Sequence, residues 1–509
     1  MNCNMKKTVL VFLLAFSLKT YNSFGQLANL PMLHDSVYSE ILKEERGFDV
    51  VLPAKYDPQS PETYETIYVM DAEWSTRIAS NIYEFLSIDF MPQSIVIGVN
   101  NTPSGKENMR ERDFTPTRPG GNPNAGGADK FLPFIKNELI PYVNKKYKSS
   151  GVNTYCGSSL GGLFGMYAMM KEPRLFSSWL LADPSFWWDN GFMKKMATDH
   201  LQDLQGIPLT LLITGREGSP FREMGTADMD SILKAKAPST LHWKVNKYSG
   251  ETHNAMIFRT VYDGLKFTYE GFLKEDVEFH PMNGVVVKDK PFTVLFVNDD
   301  LQPIHYTTDG TQPTEASPQP TSKVTITNPC TLTATAICKR ERYSRTTTGH
   351  FTLGTTWPAS AKIKNAVAGG LHYDYYEGKW DSMPDFKKLK PAQSGKTSKE
   401  FELSKLPRQH DFAVVQQGQL VAPTEGYYLF GMACDGAARL YIDGKMVIDY
   451  SMGHKADKFK SYVLPLAKGF YSMRIEYFQQ KGNPSLSLAY FKPGEQNLSQ
   501  MSTDLEYSK

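Results

Sequence analysis

The chain reads as an α/β domain followed by two all-β sandwich domains, and two observations carry that reading. The first is a strand-to-helix turn of unusual composition. Gly151-Val-Asn-Thr-Tyr-Cys156 is a β-type run, Gly157, Ser159 and Gly161 make a G-x-S-x-G pattern, and Leu160 to Lys171 is an apolar run of strong helix formers ending at Glu172-Pro173. The second is a change of pattern near residue 275. Helical signals end there, and short β-type runs take over at Val285-Val-Val287, Phe292 to Val297, Pro303 to Thr308, Ser322 to Thr327 and Leu332 to Ile337. A length of 509 residues suits about three domains.

The turn at Ser159 needs small residues on both sides, because the chain reverses so sharply that a Cβ at either flanking position would meet neighbouring backbone. Ser159 then stands at the carboxyl end of a strand and the amino end of a helix. Free N–H groups and the helix dipole at that point favour a developing negative charge. Such a serine is a candidate nucleophile, and it needs a base and a carboxylate that orients the base.

Four histidines precede residue 275. His34 lies near the amino terminus, His200 in a polar helical segment, and His242 within the strand-like run Leu241 to Tyr248. His253 follows that strand in the loop Ser249-Gly-Glu-Thr-His-Asn254, just before a helical run, where a base could reach over a sheet edge. The carboxylate is expected between serine and histidine at the end of another strand. Leu209 to Thr214 is an apolar strand followed by Gly215-Arg-Glu-Gly218, which makes Glu217 the candidate acid; Asp183, Glu223, Asp228 and Asp230 are its rivals.

Residues from about 40 to 275 resemble an esterase family within the α/β-hydrolases, the group that contains feruloyl and acetylxylan esterases and the esterases of iron-loaded enterobactin. The matching pieces are Arg46-Gly-Phe-Asp-Val-Val-Leu-Pro53 with Tyr56, Ile67-Tyr-Val-Met-Asp-Ala72, Ile95 to Asn100, Arg112-Asp-Phe-Thr-Pro116 and Phe131-Leu-Pro-Phe-Ile135. The Ser159 turn, Asp183-Pro-Ser-Phe-Trp-Trp188 and the His253 loop complete the series. The resemblance implies Ser159 as nucleophile, His253 as base and Glu217 as acid, although the family has one more residue between the glycine and the acid than Gly215-Arg-Glu217 allows. It also implies an oxyanion hole from the backbone N–H of Leu160 and one near Ala72, where the family has glycine after Asp71. Asp71, Trp187 and Trp188 are candidate substrate-binding residues. Adjacent tryptophans on an extended segment face opposite sides, so one would be core and the other would wall a cleft that stacks sugars or aromatic acyl groups.

Residues 1–25 read as a secretory signal peptide: a basic start with Lys6 and Lys7, an apolar core from Thr8 to Leu18, and small residues at Ser23 and Gly25. That core is shorter than the roughly 20 residues a bilayer span needs. Its removal takes Lys6, Lys7 and Lys19 and no acid, so the formal charge falls from +2 to −1. Nothing in that balance supports a nucleic-acid partner, and no further segment is apolar enough to cross a membrane. An exported chain, periplasmic or secreted, is the expectation.

Cys156, Cys330, Cys338 and Cys434 remain. Cys330 and Cys338 stand eight residues apart in one strand-like run, roughly 26 Å if extended and out of disulfide reach. Four free, mostly buried thiols are expected. With no Cys-x-x-Cys and no histidine pair at ligand spacing, neither a structural zinc nor any other metal or cofactor is expected.

The predicted boundaries are 26–275 for the α/β-hydrolase domain, 280–353 for the first β-sandwich and 361–495 for the second. Ile304 to Thr314, with Tyr-Thr-Thr-Asp-Gly and Gln-Pro-Thr, resembles the carboxyl-terminal β domain of chitobiase-type glycosidases. Residues 365 to 493 resemble a PA14 domain through Gly370 to Trp380, Gly426-Tyr-Tyr-Leu-Phe430 and Asp435 to Gly444. Sugar-binding relatives hold calcium with two consecutive aspartates, whereas here the pair is Cys434-Asp435, a poor calcium site. Tyr373, Tyr375, Tyr376 and Trp380 are candidates for an aromatic platform instead.

These readings converge on an exported serine carboxylesterase that removes feruloyl or acetyl groups from an acylated polysaccharide or oligosaccharide. Two alternatives are a catecholate siderophore esterase, which would be favoured by a pocket lined with Arg110, Arg112, Arg118 and Arg222, and a carbohydrate-binding protein with an inert hydrolase domain.

Overall fold

The computed structural model describes residues 30–297, 302–397, 403–450, 458–495 and 504–508. The signal-peptide expectation at 1–25 lies outside the described residues. The chain forms two compact units, one running to Lys274 and including Cys338–Ser344, the other made of Glu275–Ile337 and the residues after Arg345.

The first unit is α/β. Its sheet contains β1 (Met32–Ser39), β2 (Glu44–Val51), β3 (Tyr64–Met70), β4 (Ser94–Val99), β5 (Ser149–Ser158), β6 (Ser178–Ala182), β7 (Leu209–Arg216) and β8 (Leu241–Tyr248), in the order β1-β2-β4-β3-β5-β6-β7-β8. β1 and β2 are antiparallel additions, and β3 to β8 run parallel. β3 (YETIYVM) and β4 (SIVIGV) are buried at every residue, as parallel strands covered on both faces must be.

The helices that matter for the site are α1 (Ala72–Leu86), α2 (Arg110–Phe114), α3 (Leu160–Lys171) and α4 (Met256–Thr268). Alternate residues of each strand point to opposite faces. Ile67, Val69, Val96, Cys156, Leu180 and Leu212 therefore pack beneath α1 and α4, which bring Ala79, Ile82, Leu86, Ile257, Val261 and Leu265. Tyr68, Ile97, Tyr155, Trp179, Leu181 and Ile213 form the opposite core with Leu163, Phe164 and Phe176. α3 differs from α1 and α4 in being apolar nearly all round, and Gly161 to Met169 are all buried. The returning segment Cys338–Ser344 joins the α1/α4 face, where Tyr343 stacks edge-on to Phe272 and Tyr269.

The second unit is all-β. Strands expected to form two separate sandwiches share one sheet: Asn283–Val287 pairs in parallel with Arg345–Gly354 on one side and with Lys460–Leu466 on the other. Gly284 permits the second pairing, since a Cβ there would lie 2.2 Å from Val463 Cγ1. A further sheet is built on Phe412–Ala422 and Gly469–Gln479, paired from Phe412↔Gln479 to Ala422↔Gly469. Tyr375 and Tyr376 are buried in the cores of this unit and Trp380 packs edge-on to Phe478, so the expected aromatic platform is core instead. The four cysteines among the described residues are free, and burial pushes the thiols of Cys156 and Cys434 up to about 12.

Candidate active site

β5 ends at Ser158 and α3 begins at Leu160, so Ser159 occupies the reversal alone with φ 57° and ψ −113°. A non-glycine residue at positive φ is strained and needs surroundings that over-determine it. Those surroundings are visible: Ser159 N–H donates to the Ala182 carbonyl at 2.9 Å, and the Ser159 carbonyl accepts from Ser185 N–H at 3.0 Å. A Cβ on Gly157 would sit 2.6 Å from the Gly161 carbonyl oxygen, so that glycine is required. The expectation that both flanking glycines are sterically forced is corrected at Gly161, where a Cβ would meet nothing nearer than 3.5 Å. The second tight position is Gly162, 2.7 Å from Pro184 Cβ.

Parallel neighbours of β5 deliver the other groups to the same end of the sheet, as expected for a site at the carboxyl edge of an α/β fold. β6 is followed at once by Asp183, which is fully buried at φ 41°. Its Oδ2 lies 2.7 Å from His253 Nδ1 and accepts from Arg216 Nε at 2.6 Å. A carboxylate in that place selects the His253 tautomer with the proton on Nδ1, leaving Nε2 free to take a proton. The imidazole is 35% exposed, open on its other side.

The sequence-derived acid, Glu217, is not at this site. β7 continues through Arg216, two residues further than the sequence suggested, and it is Arg216, not Glu217, that reaches Asp183. Glu217 is exposed, with its N–H on the Tyr248 carbonyl at 2.9 Å. Asp183, named among the rivals, takes the place beside the histidine.

The two expected oxyanion donors come from adjacent strands. Leu160 is the first residue of α3 and Ala72 the first of α1, following β5 and β3 respectively. N–H groups in a helix's first turn have no intrahelical acceptor. Asp71, expected at the substrate, is fully buried instead, adopts the left-handed conformation at φ 59°, and accepts from Asn101 Nδ2 at 2.6 Å and from Arg110 Nε at 2.5 Å. Arg110 Nη2 also donates to the Ser158 carbonyl at 3.1 Å, tying the end of β3 to the serine turn.

α2, which carries Arg110, is fixed by a buried charge cluster. Arg46 donates to Asp113 Oδ2 at 2.8 Å and to Glu44 Oε1 at 3.1 Å, and Arg112 Nη2 reaches Glu44 Oε1 at 2.5 Å. Burial alone would raise the Glu44 carboxyl, but Arg112, Lys106 and Arg46 overcome it and bring the value down to about 2. Of the four arginines named for an anion pocket, Arg112 is engaged in this cluster, Arg110 with Asp71, and Arg118 donates from Nε to the Ala125 carbonyl at 2.9 Å.

The tryptophans divide, though not by strand alternation. The chain turns at this point, with Trp188 N–H on the Ser185 carbonyl at 3.1 Å. Trp188 is 7% exposed and donates from Nε1 to Thr117 Oγ1 at 3.1 Å, so it is core and no substrate residue, whereas Trp187 is 50% exposed. Sequence reasoning gave no role to Ser185, whose Oγ lies 3.1 Å from Ser159 Oγ. Its place in Asp183-Pro-Ser185 directly after β6 was the available signal.

Residues 39–254 match the family model described as "Putative esterase", 294–351 one described as "Fn3 associated", and 385–502 the PA14 domain. The esterase domain is 26% identical over 250 residues to the ferri-bacillibactin esterase BesA of Bacillus subtilis, covering 44% of this chain and 85% of that protein. It is 29% identical over 185 residues to the siderophore enterobactin esterase of Emericella nidulans, covering 32% and 59%. Among solved structures it is similar to the IroE-like serine hydrolase from Shewanella oneidensis, at 28% identity and a TM-score of 0.43 over 48% of this chain and 82% of that one. Among the described residues no helix is long and apolar enough to cross a membrane, and no cluster of three or more His, Cys, Asp or Glu is placed to hold a metal ion.

Proposed function

We propose that the esterase domain is a serine carboxylesterase in which Ser159 is the nucleophile, His253 the general base and Asp183 the orienting acid. The observation that carries the reading is the 2.7 Å contact between His253 Nδ1 and the buried Asp183 carboxylate, at the same sheet end as the strained Ser159 turn. Ser159 Oγ attacks the ester carbonyl carbon while His253 Nε2 takes its proton. The oxyanion is met by the N–H groups of Leu160 and Ala72, and the alcohol leaves with the proton from His253. Water, deprotonated by the same imidazole, then attacks the acyl-enzyme and frees the acid and Ser159.

The leading substrate is a feruloyl or acetyl ester on a glycan, acted on outside the cytoplasm. The exposed Trp187, two residues beyond Ser185, the PA14 domain and the signal-like amino terminus support this reading, since a module that holds a polymer raises the local concentration of its esters. A second reading, a catecholate siderophore ester, is supported by the relatives, whose names describe such esterases. Acid release from p-nitrophenyl acetate, methyl ferulate, acetylated xylan and ferric enterobactin, by wild type and Ser159→Ala, decides between them. Ser159-dependent turnover of the acetylated or feruloylated substrates supports the first reading, preference for the siderophore supports the second, and turnover of none of them by either protein sinks both.

A further inference from the structure

We propose that a cavity beside the oxyanion loop is a sugar subsite, which holds one ring of the hydroxyl-rich alcohol whose ester the domain cleaves. The purpose of the site rests on the esterase reading above. The cavity has a volume of about 250 Å³, room for a single ring rather than for a drug-sized ligand, and Ala72 forms part of its wall. Asp71, the residue before Ala72, is tied through Arg110 to the Ser158 carbonyl, so one chain of hydrogen bonds joins the cavity wall to the serine turn.

The lining decides the ligand class. Trp74, in the first turn of α1, is 41% exposed, which supplies a flat apolar face of the kind on which sugar rings stack. Around it stand both donors and acceptors. Arg77, three residues on, is exposed and lines the cavity. Glu73 gives one oxygen to the loop, Oε1 accepting from Asn101 N–H at 2.8 Å and Thr102 N–H at 3.1 Å, and keeps Oε2 for a ligand. His34 Nδ1 lies 2.7 Å from Asp49 Oδ1, so that the imidazole edge bearing Nε2 is held at the opening. Asn100 adds an amide.

Two carboxylates against one guanidinium make a poor anion site, since each acid repels what Arg77 would attract. A purely apolar group would leave these polar atoms unpaired, at a cost for each one buried. A neutral polyol fits both constraints, with hydroxyls that donate to Glu73 and Asp49 and accept from Arg77 and Asn100 while the ring lies on Trp74.

The test is binding to full-length Ser159→Ala, which cannot turn substrate over, using xylo-, cello-, manno- and arabino-oligosaccharides of four units followed by calorimetry. At least one is expected to bind, with affinity falling about tenfold or more when Trp74→Ala is added and less when Trp74→Phe is added. Arg77→Ala is expected to weaken the same ligand. Equal thermal midpoints for the four proteins exclude misfolding as the cause. Binding that is indifferent to Trp74, as the PA14 domain alone would give, overturns the proposal, and so does the absence of binding or a Trp74-dependent affinity for ferric enterobactin instead. Ser159-dependent hydrolysis of p-nitrophenyl acetate by the otherwise wild-type chain is read separately. If it is missing while Trp74-dependent binding persists, the esterase reading fails and the subsite stands.

Discussion

Two neighbouring turns at the same sheet edge, the one after β5 and the one after β6, differ in what holds them. Ser159 and Asp183 are both at positive φ directly after a parallel strand, at 57° and 41°. The first turn is announced by its own sequence, since Gly157 clears the Gly161 carbonyl, and the segment after β6 then holds it through Ala182 and Ser185. The second is imposed by partners distant in the chain, Arg216 at the end of β7 and His253 beyond β8. A role set by local sterics can be read from five residues. A role set by long-range pairing requires the fold.

The largest effects should come from the chemistry that spans both turns. Ser159→Ala is expected to remove roughly 10⁶-fold of the hydrolysis rate of an activated ester, to the background of the assay. Asp183→Asn is expected to cost about 10⁴-fold by favouring the wrong histidine tautomer, while Glu217→Gln stays within about twofold. Steady-state kinetics on p-nitrophenyl acetate give all three numbers. A large loss at Glu217 with little at Asp183 would restore the acid that the sequence suggested and undo the comparison.

Next in size is the local sterics of the first turn. Gly157→Ala forces a Cβ to within 2.6 Å of a backbone oxygen, and overpacking of that kind costs about 1–3 kcal/mol. Gly161→Ala meets only ordinary contacts from 3.5 Å outward and sits in a helix, where alanine is preferred by about 1 kcal/mol. Denaturant unfolding should therefore separate two glycines that the G-x-S-x-G pattern treats alike. Equal destabilisation would mean that the turn is tighter at Gly161 than this structure has it.

The same distinction governs what was legible in the sequence. The α/β class, the Ser159 turn and the His253 loop followed from composition and chain order, because each is announced by neighbours within a few residues. Glu217 was misplaced because the end of β7 was set at Thr214, two residues early, and because the contacts of Asp183 with Arg216 and His253 join segments far apart in the chain. Asp71 and Trp188 were chemically plausible contacts for a substrate. Their burial, which depends on Asn101, Arg110 and Thr117 in a separate loop, leaves no pattern in their own segments. The shared sheet of the β unit was hidden for the same reason, since Asn283–Val287 and Lys460–Leu466 are far apart in the chain.

The smallest predicted effect concerns the bracing of the two turns. On the serine side, Arg110 reaches the Ser158 carbonyl from a helix anchored by Glu44, Arg46, Arg112 and Asp113, whereas on the acid side Arg216 is in direct contact. Glu44 has its carboxyl lowered from 4.5 to about 2, so the folded state binds its proton more weakly than the unfolded chain does. Its contribution is therefore fully present above pH 4.5 and is lost as pH falls toward 2, with an upper bound of about 3 kcal/mol. Asp113, pushed up by burial, titrates with the opposite sign in both proteins and largely cancels in a comparison of wild type with Glu44→Gln. The difference in unfolding free energy between the two should be flat from pH 7 to about 4.5 and shrink below it. A difference that stays constant down to pH 2.5 would mean that Glu44 stabilises by packing alone, and the serine turn would then owe its bracing to Arg110 and Asp71 without the charge cluster behind them.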